Sequence, residues 1–521
     1  MGNTVSTNMF RVRRMGAFLK SVVITVVAFS AVAAYLVVPA VGQWTRAEAR
    51  ANINPEVYDQ VETPPQDVDD RLVEKLRNAT TGRQSAPLVI TYHDIGDRDS
   101  RYTLTPQAFE AQMQTLHRAG WRTIGSDDLV RWLHGEPVPP HSVLITFDDG
   151  AKGVWKYADP ILRRYGFNAV SFVVTGFVGT RAPYYMTWQE LTRLHESGRW
   201  ELQAHTHLGH VHIPTDAEGG EGPFLTKLRY LTDKRRVETS DEYAHRVVSD
   251  LDEGIRQFAL HDLPAPTLFA YPFSDLDDAP TGTGVLRDAL AERFAASLSD
   301  TADRERVTNT EDVSAGLVAR MDITSDVSTA DWVDRLVAAS PLEPRFARPL
   351  ADPGGWTDYG ARPVRINIDG NGTALLEPAP REHLGRRYAP QRSSMWDTYG
   401  VSVDVGNFRS ATDGTTAGVM ALSGDAKHEV DVSIGRSGYT INVGREPRFF
   451  TKRGKLADTS SHHVDIDVSP NQVIVRIDGA LAAEVPLPAA PPRQKGGGVG
   501  LHVTRAFDSS PAALFANLTV R

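Results

Sequence analysis

Four histidines, His205, His207, His210 and His212, fall within eight residues of the stretch "ELQAHTHLGHVHIP". Histidine at that density points to a metal, a proton shuttle or a polar loop. Upstream, the apolar run of "SVLITFDDG" ends on Asp148, Asp149 and Gly150. Adjacent side chains at a strand end point in different directions, so one carboxylate can hold a cation while the other stays free as a base. His205 also ends an apolar strand, "WELQAH", and two histidines with one carboxylate build a hydrolytic metal centre with positions left for water and substrate. Cysteine is absent, which excludes thiolate nucleophiles, disulfides and Cys-held metals and leaves His, Asp and Glu as the ligands. His205 and His210 are five residues apart. That spacing suits no single face of a strand or helix, so a turn must bring both inward. His207 shares strand parity with His205, which allows a ligand role. The other reading is a loop histidine satisfied by a neighbour, and it applies to His212 as well.

These residues need a scaffold that gathers strand ends. From "PLVITYH" to "FAASLS", short apolar strands alternate with amphipathic helical stretches, among them "TPQAFEAQMQTLHRAG", "TWQELTRLHESG" and "SDEYAHRVVSDLDEGIRQFAL". Six or more such repeats predict a parallel α/β barrel with its chemistry at the C-terminal ends of the strands. After about Arg345 the helical periodicity stops. Short alternating strands such as "HEVDVSIG", "GYTINVG" and "QVIVRIDG", punctuated by Gly, Asp and Asn, predict an all-β sandwich. A chain of 521 residues exceeds what one core serves, in keeping with two domains. The net charge of -9 is spread thinly and provides no basic stripe, so nucleic acid is not an expected partner.

"TFDDG", then "HTHLGH", then "FAYPF" together resemble the polysaccharide deacetylase family, also known as carbohydrate esterase family 4 or the NodB-homology domain. The resemblance covers roughly Pro87 to Leu342 and implies a distorted (β/α) barrel that hydrolyses acetyl groups of N-acetylated polysaccharides. It implies Asp148 as general base and Asp149 and His205 as metal ligands. The family's usual second histidine would fall on Gly209. The longer spacing resembles the subgroup that de-N-acetylates poly-β-1,6-N-acetylglucosamine and implies His210 as third ligand. Members of that subgroup look circularly permuted, with a Y-H-D-[IV] strand at the start, which makes His93 of "LVITYHDIG" the implied catalytic acid, with Asp94 helping to position its loop. Family members commonly use zinc, and some cobalt or nickel. The third motif departs from the pattern, since Ala270 stands where many members carry the arginine that steadies the base, and Ser274 where they carry glycine. Tyr271, Pro272 and Phe273 suit a groove wall against a sugar ring; whether another arginine substitutes for the one missing at Ala270 is open, and Arg320 in "LVARMDI" resembles the late arginine of these enzymes, grouped here with the substrate-binding residues. Other metal hydrolases on this scaffold, such as a peptidoglycan, chitin or O-acetyl deacetylase, remain open, as does a non-catalytic glycan-binding protein.

At the N-terminus, Arg11, Arg13, Arg14 and Lys20 precede the 22 uncharged residues 21–42, long enough to cross a bilayer of roughly 30 Å. The positive flank predicts a cytoplasmic N-terminus, residues 1–20, and a catalytic domain outside the cell membrane; a cleaved signal peptide is the competing reading. The expected order is then a stalk at 43–86, the deacetylase domain at 87–345, a linker at 346–362 and the sandwich at 363–521. The sandwich resembles concanavalin-like or laminin-G-like jelly rolls. Carbohydrate binding, with Trp356 and Trp396 as candidate platforms, is one reading of it, and a spacer or interaction module the other. The segment from Asp216 to Asp241 is long for a barrel loop and reads as a lid, a groove wall or a mobile insertion.

Overall fold

The computed structural model describes residues 59–79, 86–276, 284–300, 307–368, 372–410, 412, 414–445 and 447–521. The expected cytoplasmic N-terminus and membrane anchor lie outside the described residues, as does half of the expected stalk. Among the described residues no helix is long and apolar enough to cross a membrane.

Seven strands close the barrel: β1 Leu88–Tyr92, β2 Ser142–Phe147, β3 Ala169–Val173, β4 Trp200–Ala204, β5 Leu268–Ala270, β6 Ala296–Asp300 and β7 Leu317–Asp322. Their order around the ring is β1-β7-β6-β5-β4-β3-β2, and β2 pairs back onto β1, from Leu88↔Val143 to Tyr92↔Phe147. Every one of these pairings is parallel. Strands covered on both faces must be apolar throughout, and β1, β2 and β3 are buried at every position. The short strand Arg122–Thr123 adds only to the first residues of β2. The ring is distorted at β4 and β5, which share the single pair Phe269↔Ala204. "TLFAYPF" reads as one strand, yet β5 stops at Ala270, because Pro272 has no N–H for a ladder and opens a short helical turn, Pro272–Ser274.

Amphipathic helices cover the barrel. Helix α1, Asp70–Arg77, lies inside the expected stalk but buries Val73 and Leu76 in the barrel core. The stalk expectation is therefore corrected there: these apolar residues find a better surface on the barrel than in water. Helix α2, Pro106–Ala119, is capped by the Thr105 hydroxyl and turns Phe109, Met113 and Leu116 to the same core, the spacing of one helical face. Burying each such side chain contributes roughly 1.5–3 kcal/mol over leaving it exposed. Helix α3, Ser240–Leu260, starts with a capping box between Thr239 and Glu242. The last unit, β7 followed by α4, Thr329–Ala339, extends the alternation beyond "FAASLS" and completes the ring.

The sandwich consists of two antiparallel sheets of seven strands each among the described residues. Alternation is regular, as in Val430–Gly435, where every second residue is buried. Trp356–Gly360, in the expected linker, pairs with His383–Tyr388 as a strand of the sandwich, and Ala347 and Leu350 join its core. Trp356 and Trp396 are buried in that core, each indole N–H donating to a backbone carbonyl, of Pro349 and Leu342 respectively. They offer no surface platform.

Candidate active site

The site occupies the C-terminal end of the barrel. After β2 the chain turns within three residues: the Gly150 N–H donates to the Asp148 carbonyl at 2.9 Å, with Asp149 at φ 71°. Tight turns of this kind are uncommon and strained, and they recur at functional sites. The turn lets two successive carboxylates serve one site from different directions.

Asp148 is buried and gripped by Arg320 of β7, whose Nη1 and Nη2 donate to Oδ1 and Oδ2 at 2.8 Å each. Arg320 has no exposed surface, and its Nε lies 3.1 Å from Asp300 Oδ1 at the end of β6. Burial alone would raise the Asp148 carboxyl, but Arg320, with His205 and His93 nearby, holds it below the usual carboxylate range. Arg320 was expected to touch substrate; it is sealed beneath the site and steadies Asp148.

Asp149, His205 and His210 come together with one donor atom from each within 4.8 Å of the others. Asp149 Oδ1 lies 3.6 Å from His205 Nε2 and 3.2 Å from His210 Nε2 and has no hydrogen-bond partner, although it is buried. His205 Nδ1 is 2.8 Å from the Ala270 carbonyl, so that nitrogen carries the proton and Nε2 presents its lone pair inward. Burial pushes His205 down to about 4, which keeps it neutral near pH 7 as a ligand must be. A lone-pair nitrogen facing an orphaned carboxylate oxygen, with a second imidazole beside them, is the donor set a divalent cation needs.

The turn that brings His210 inward is held by Asp250 of α3, which accepts the N–H groups of His207 at 2.9 Å and Leu208 at 2.7 Å. Thr206 sits at φ 73°, and a Cβ on Gly209 would lie 3.1–3.2 Å from Phe224, Thr206 and Asp250. The five-residue spacing is therefore built around a helix carboxylate and a glycine. His207 Nδ1 is 3.0 Å from the Thr175 hydroxyl, and the ring of the exposed His212 lies 4.7 Å from that of Phe273, tilted by 37°. Neither joins the ligand group.

His93 follows β1, with Nδ1 3.7 Å from Asp322 Oδ1 at the end of β7. Burial raises Asp322, and His93 opposes that rise. Burial likewise pushes Asp94 up to about 6. Of the expected groove wall, Tyr271 and Pro272 are buried, because the turn after β5 folds both into the barrel. Phe273 alone projects, at φ 60°, with its ring 4.6 Å from that of His210. Asp250, Asp300 and Asp322 were missed from sequence. Asp300 and Asp322 each end a strand, which was the available signal; Asp250 interrupts the buried face of α3 between Val247 and Leu251.

Residues 135–283 match the family model described as polysaccharide deacetylase. The matched span holds Asp148, Asp149, His205, His210 and Phe273 and excludes His93 and Arg320. The poly-β-1,6-N-acetyl-D-glucosamine N-deacetylase of Escherichia coli (strain K12) is 27% identical over 230 residues, covering 41% of this chain and 33% of that protein. The protein of the same name from Staphylococcus epidermidis is 22% identical over 181 residues, 31% of this chain and 61% of its own length. The chain thus spans about a third of the Escherichia coli relative. Among solved structures, the BpsB deacetylase domain from Bordetella bronchiseptica aligns at 22% identity and TM-score 0.39, over 46% of this chain and 96% of that one. By the family model and these relatives, the chain carries a polysaccharide deacetylase domain.

Proposed function

We propose that this chain is a metal-dependent N-deacetylase of a poly-N-acetylglucosamine-type polysaccharide, anchored in the cell membrane by residues 21–42 with its barrel outside. The observation that supports this most directly is the orphaned Asp149 oxygen facing two imidazoles beside a carboxylate that a buried arginine keeps ionised. A divalent cation held by Asp149, His205 and His210, zinc or in its place cobalt or nickel, would supply Lewis acidity toward the acetamide carbonyl and the attacking water.

The chain's own residues do the rest. Asp148 accepts the proton of the water as it attacks, and Arg320 fixes the orientation of its carboxylate so that the base enters the reaction ionised. His205, tethered through Nδ1 to Ala270, is held in one tautomer. His93 turns Nδ1 toward Asp322, which leaves Nε2 to give its proton to the departing amine. Phe273 offers an exposed ring to the sugar next to the ligand histidine.

The test is acetate release by the detergent-solubilised chain from poly-β-1,6-N-acetylglucosamine, chitin oligomers and peptidoglycan, with and without a chelator. Chelator-sensitive release from the first is the expected result. Release from none of them overturns the proposal, and release from peptidoglycan or chitin alone reassigns the substrate.

A further inference from the structure

We infer that Tyr102 is a second sugar-stacking platform, on the acid side of the cleft, and contributes to holding the glycan chain. This rests on the deacetylase reading. The ring of Tyr102 is 46% exposed, and its centroid lies 4.7 Å from that of His93 with the planes 49° apart. Across the mouth, Phe273 is also 46% exposed and leans on His210 at 4.6 Å. One exposed ring therefore borders the proposed acid and another borders a proposed ligand. β1 and β5, the barrel strands that precede them in the chain, are separated by β7 and β6 on one side of the ring and by β2, β3 and β4 on the other. The two platforms stand on opposite sides of the barrel mouth, with Asp148, Asp149 and His205 contributed from strands between them.

The exposure of Tyr102 is built in. Asp94 and Ile95 pair in parallel with Thr103 and Leu104, the Asp94 N–H donates to the Tyr102 carbonyl at 3.1 Å, and the Ser325 N–H donates to the Arg101 carbonyl at 2.8 Å. The backbone is thus fastened on both sides of the ring, yet the ring stays out of the core beneath it. The ring packs against His93 and has the Arg101 guanidinium 5.9 Å from its centroid, and the exposed part of an aromatic face with a polar edge suits the C–H face of a pyranose. A chain stacked on Tyr102 and Phe273 would place the intervening acetamide over the reacting groups.

Steady-state kinetics on a β-1,6-linked N-acetylglucosamine pentasaccharide test this with the full chain. Tyr102→Ala is expected to raise KM about ten-fold with kcat falling less than about three-fold, as loss of one stacking contact implies. Tyr102→Trp, which restores a ring, is expected to return KM to within about three-fold of the parent. If Tyr102→Ala does not fold, Tyr102→Leu, which keeps apolar bulk without a ring, carries the same expectation. An unchanged KM, a fall in kcat alone or failure of the Trp variant to restore KM overturns the platform while leaving the deacetylase reading intact. A parent chain that releases acetate from none of the pentasaccharide, chitin oligomers and peptidoglycan overturns both, and where it acts only on one of the latter two the same KM comparison is made on that substrate.

Discussion

Histidine–aspartate pairs occur in both halves of this molecule, and their surroundings differ. In the sandwich, His462 places Nδ1 2.7 Å from Asp478 and Nε2 2.9 Å from the Arg436 carbonyl. His463 places Nδ1 2.6 Å from Asp404 and Nε2 3.3 Å from Asp465. Each ring nitrogen there already faces an acceptor. The hydrogen bond to Asp404, against the pull of burial, holds His463 above the ordinary histidine range. At the barrel mouth His205 goes the other way, pushed down to about 4 by burial, while Asp149 keeps an oxygen that nothing satisfies. Proximity of His to Asp does not make a metal site. A neutral imidazole facing an unpaired carboxylate offers a cation lone pairs that no neighbour already uses.

The sharpest way to break this comparison is to remove one acid from each place. His205→Ala or Asp149→Ala is expected to lower acetate release by at least about 10³-fold, the scale of losing several kcal/mol of metal-derived stabilisation, and to abolish tight metal binding by calorimetry. Asp404→Ala in the sandwich is expected to change neither. Equal losses from Asp149→Ala and Asp404→Ala would mean that the contrast between satisfied and orphaned groups carries no functional information.

The next effect concerns Asp148, whose carboxyl depends on a cation from the other end of the barrel sequence. Its folded-state pKa lies below the unfolded one, so the stability it contributes is present above the unfolded value near 3.9 and is lost as pH falls through the lower, folded value. Arg320→Met leaves that carboxylate buried without a partner. Two results are expected: a loss of about 3–5 kcal/mol in stability by denaturant melts, as when one member of a buried pair is removed, and a shift of the acidic limb of the kcat/KM profile to higher pH, because the base now protonates more readily. A variant with the parent's pH profile would show that Arg320 supports the fold without tuning the base.

The Arg320–Asp148 pair marks the limit of what local pattern reveals. The alternation of strands and helices was legible because runs such as β1 and β2 are five and six residues long and wholly apolar or buried, and capped helices such as α2 stand between them. The carboxylates of "TFDDG" and the histidines of "HTHLGH" stood out because they end such runs. Arg320, however, is 172 residues from Asp148, and the two meet only because the ring closes β1 between β2 and β7, which no local spacing encodes. The same closure brings Asp322 to His93. Tyr271 and Pro272 were misread for the complementary reason: an aromatic–proline pair looks like a groove wall in sequence, whereas the turn after β5 folds both into the core and exposes only Phe273. Trp356 and Trp396 looked like surface platforms and are interior packing.

Asp250 was in principle legible, as an acid on the buried face of α3 amid Tyr243, Val247, Leu251 and Phe258. A carboxylate there needs a polar purpose, since burial raises its pKa and penalises its charge. The two backbone N–H groups of His207 and Leu208 supply it, and they lie between the two proposed ligands, His205 and His210. Its role is to fix the loop, so removing it should loosen the metal without removing a ligand. Asp250→Ala is expected to weaken metal affinity about 10–100-fold, the range found when a supporting partner of a metal ligand is lost, measured by competition with a chelating dye. Because Ala cannot accept either N–H, Asp250→Asn, whose single carbonyl oxygen can take one of them, should fall between the parent and Ala. If metal affinity stays at the parent level in Asp250→Ala while the melting midpoint drops, the carboxylate serves the helix rather than the ligand loop, and the five-residue spacing stands without it.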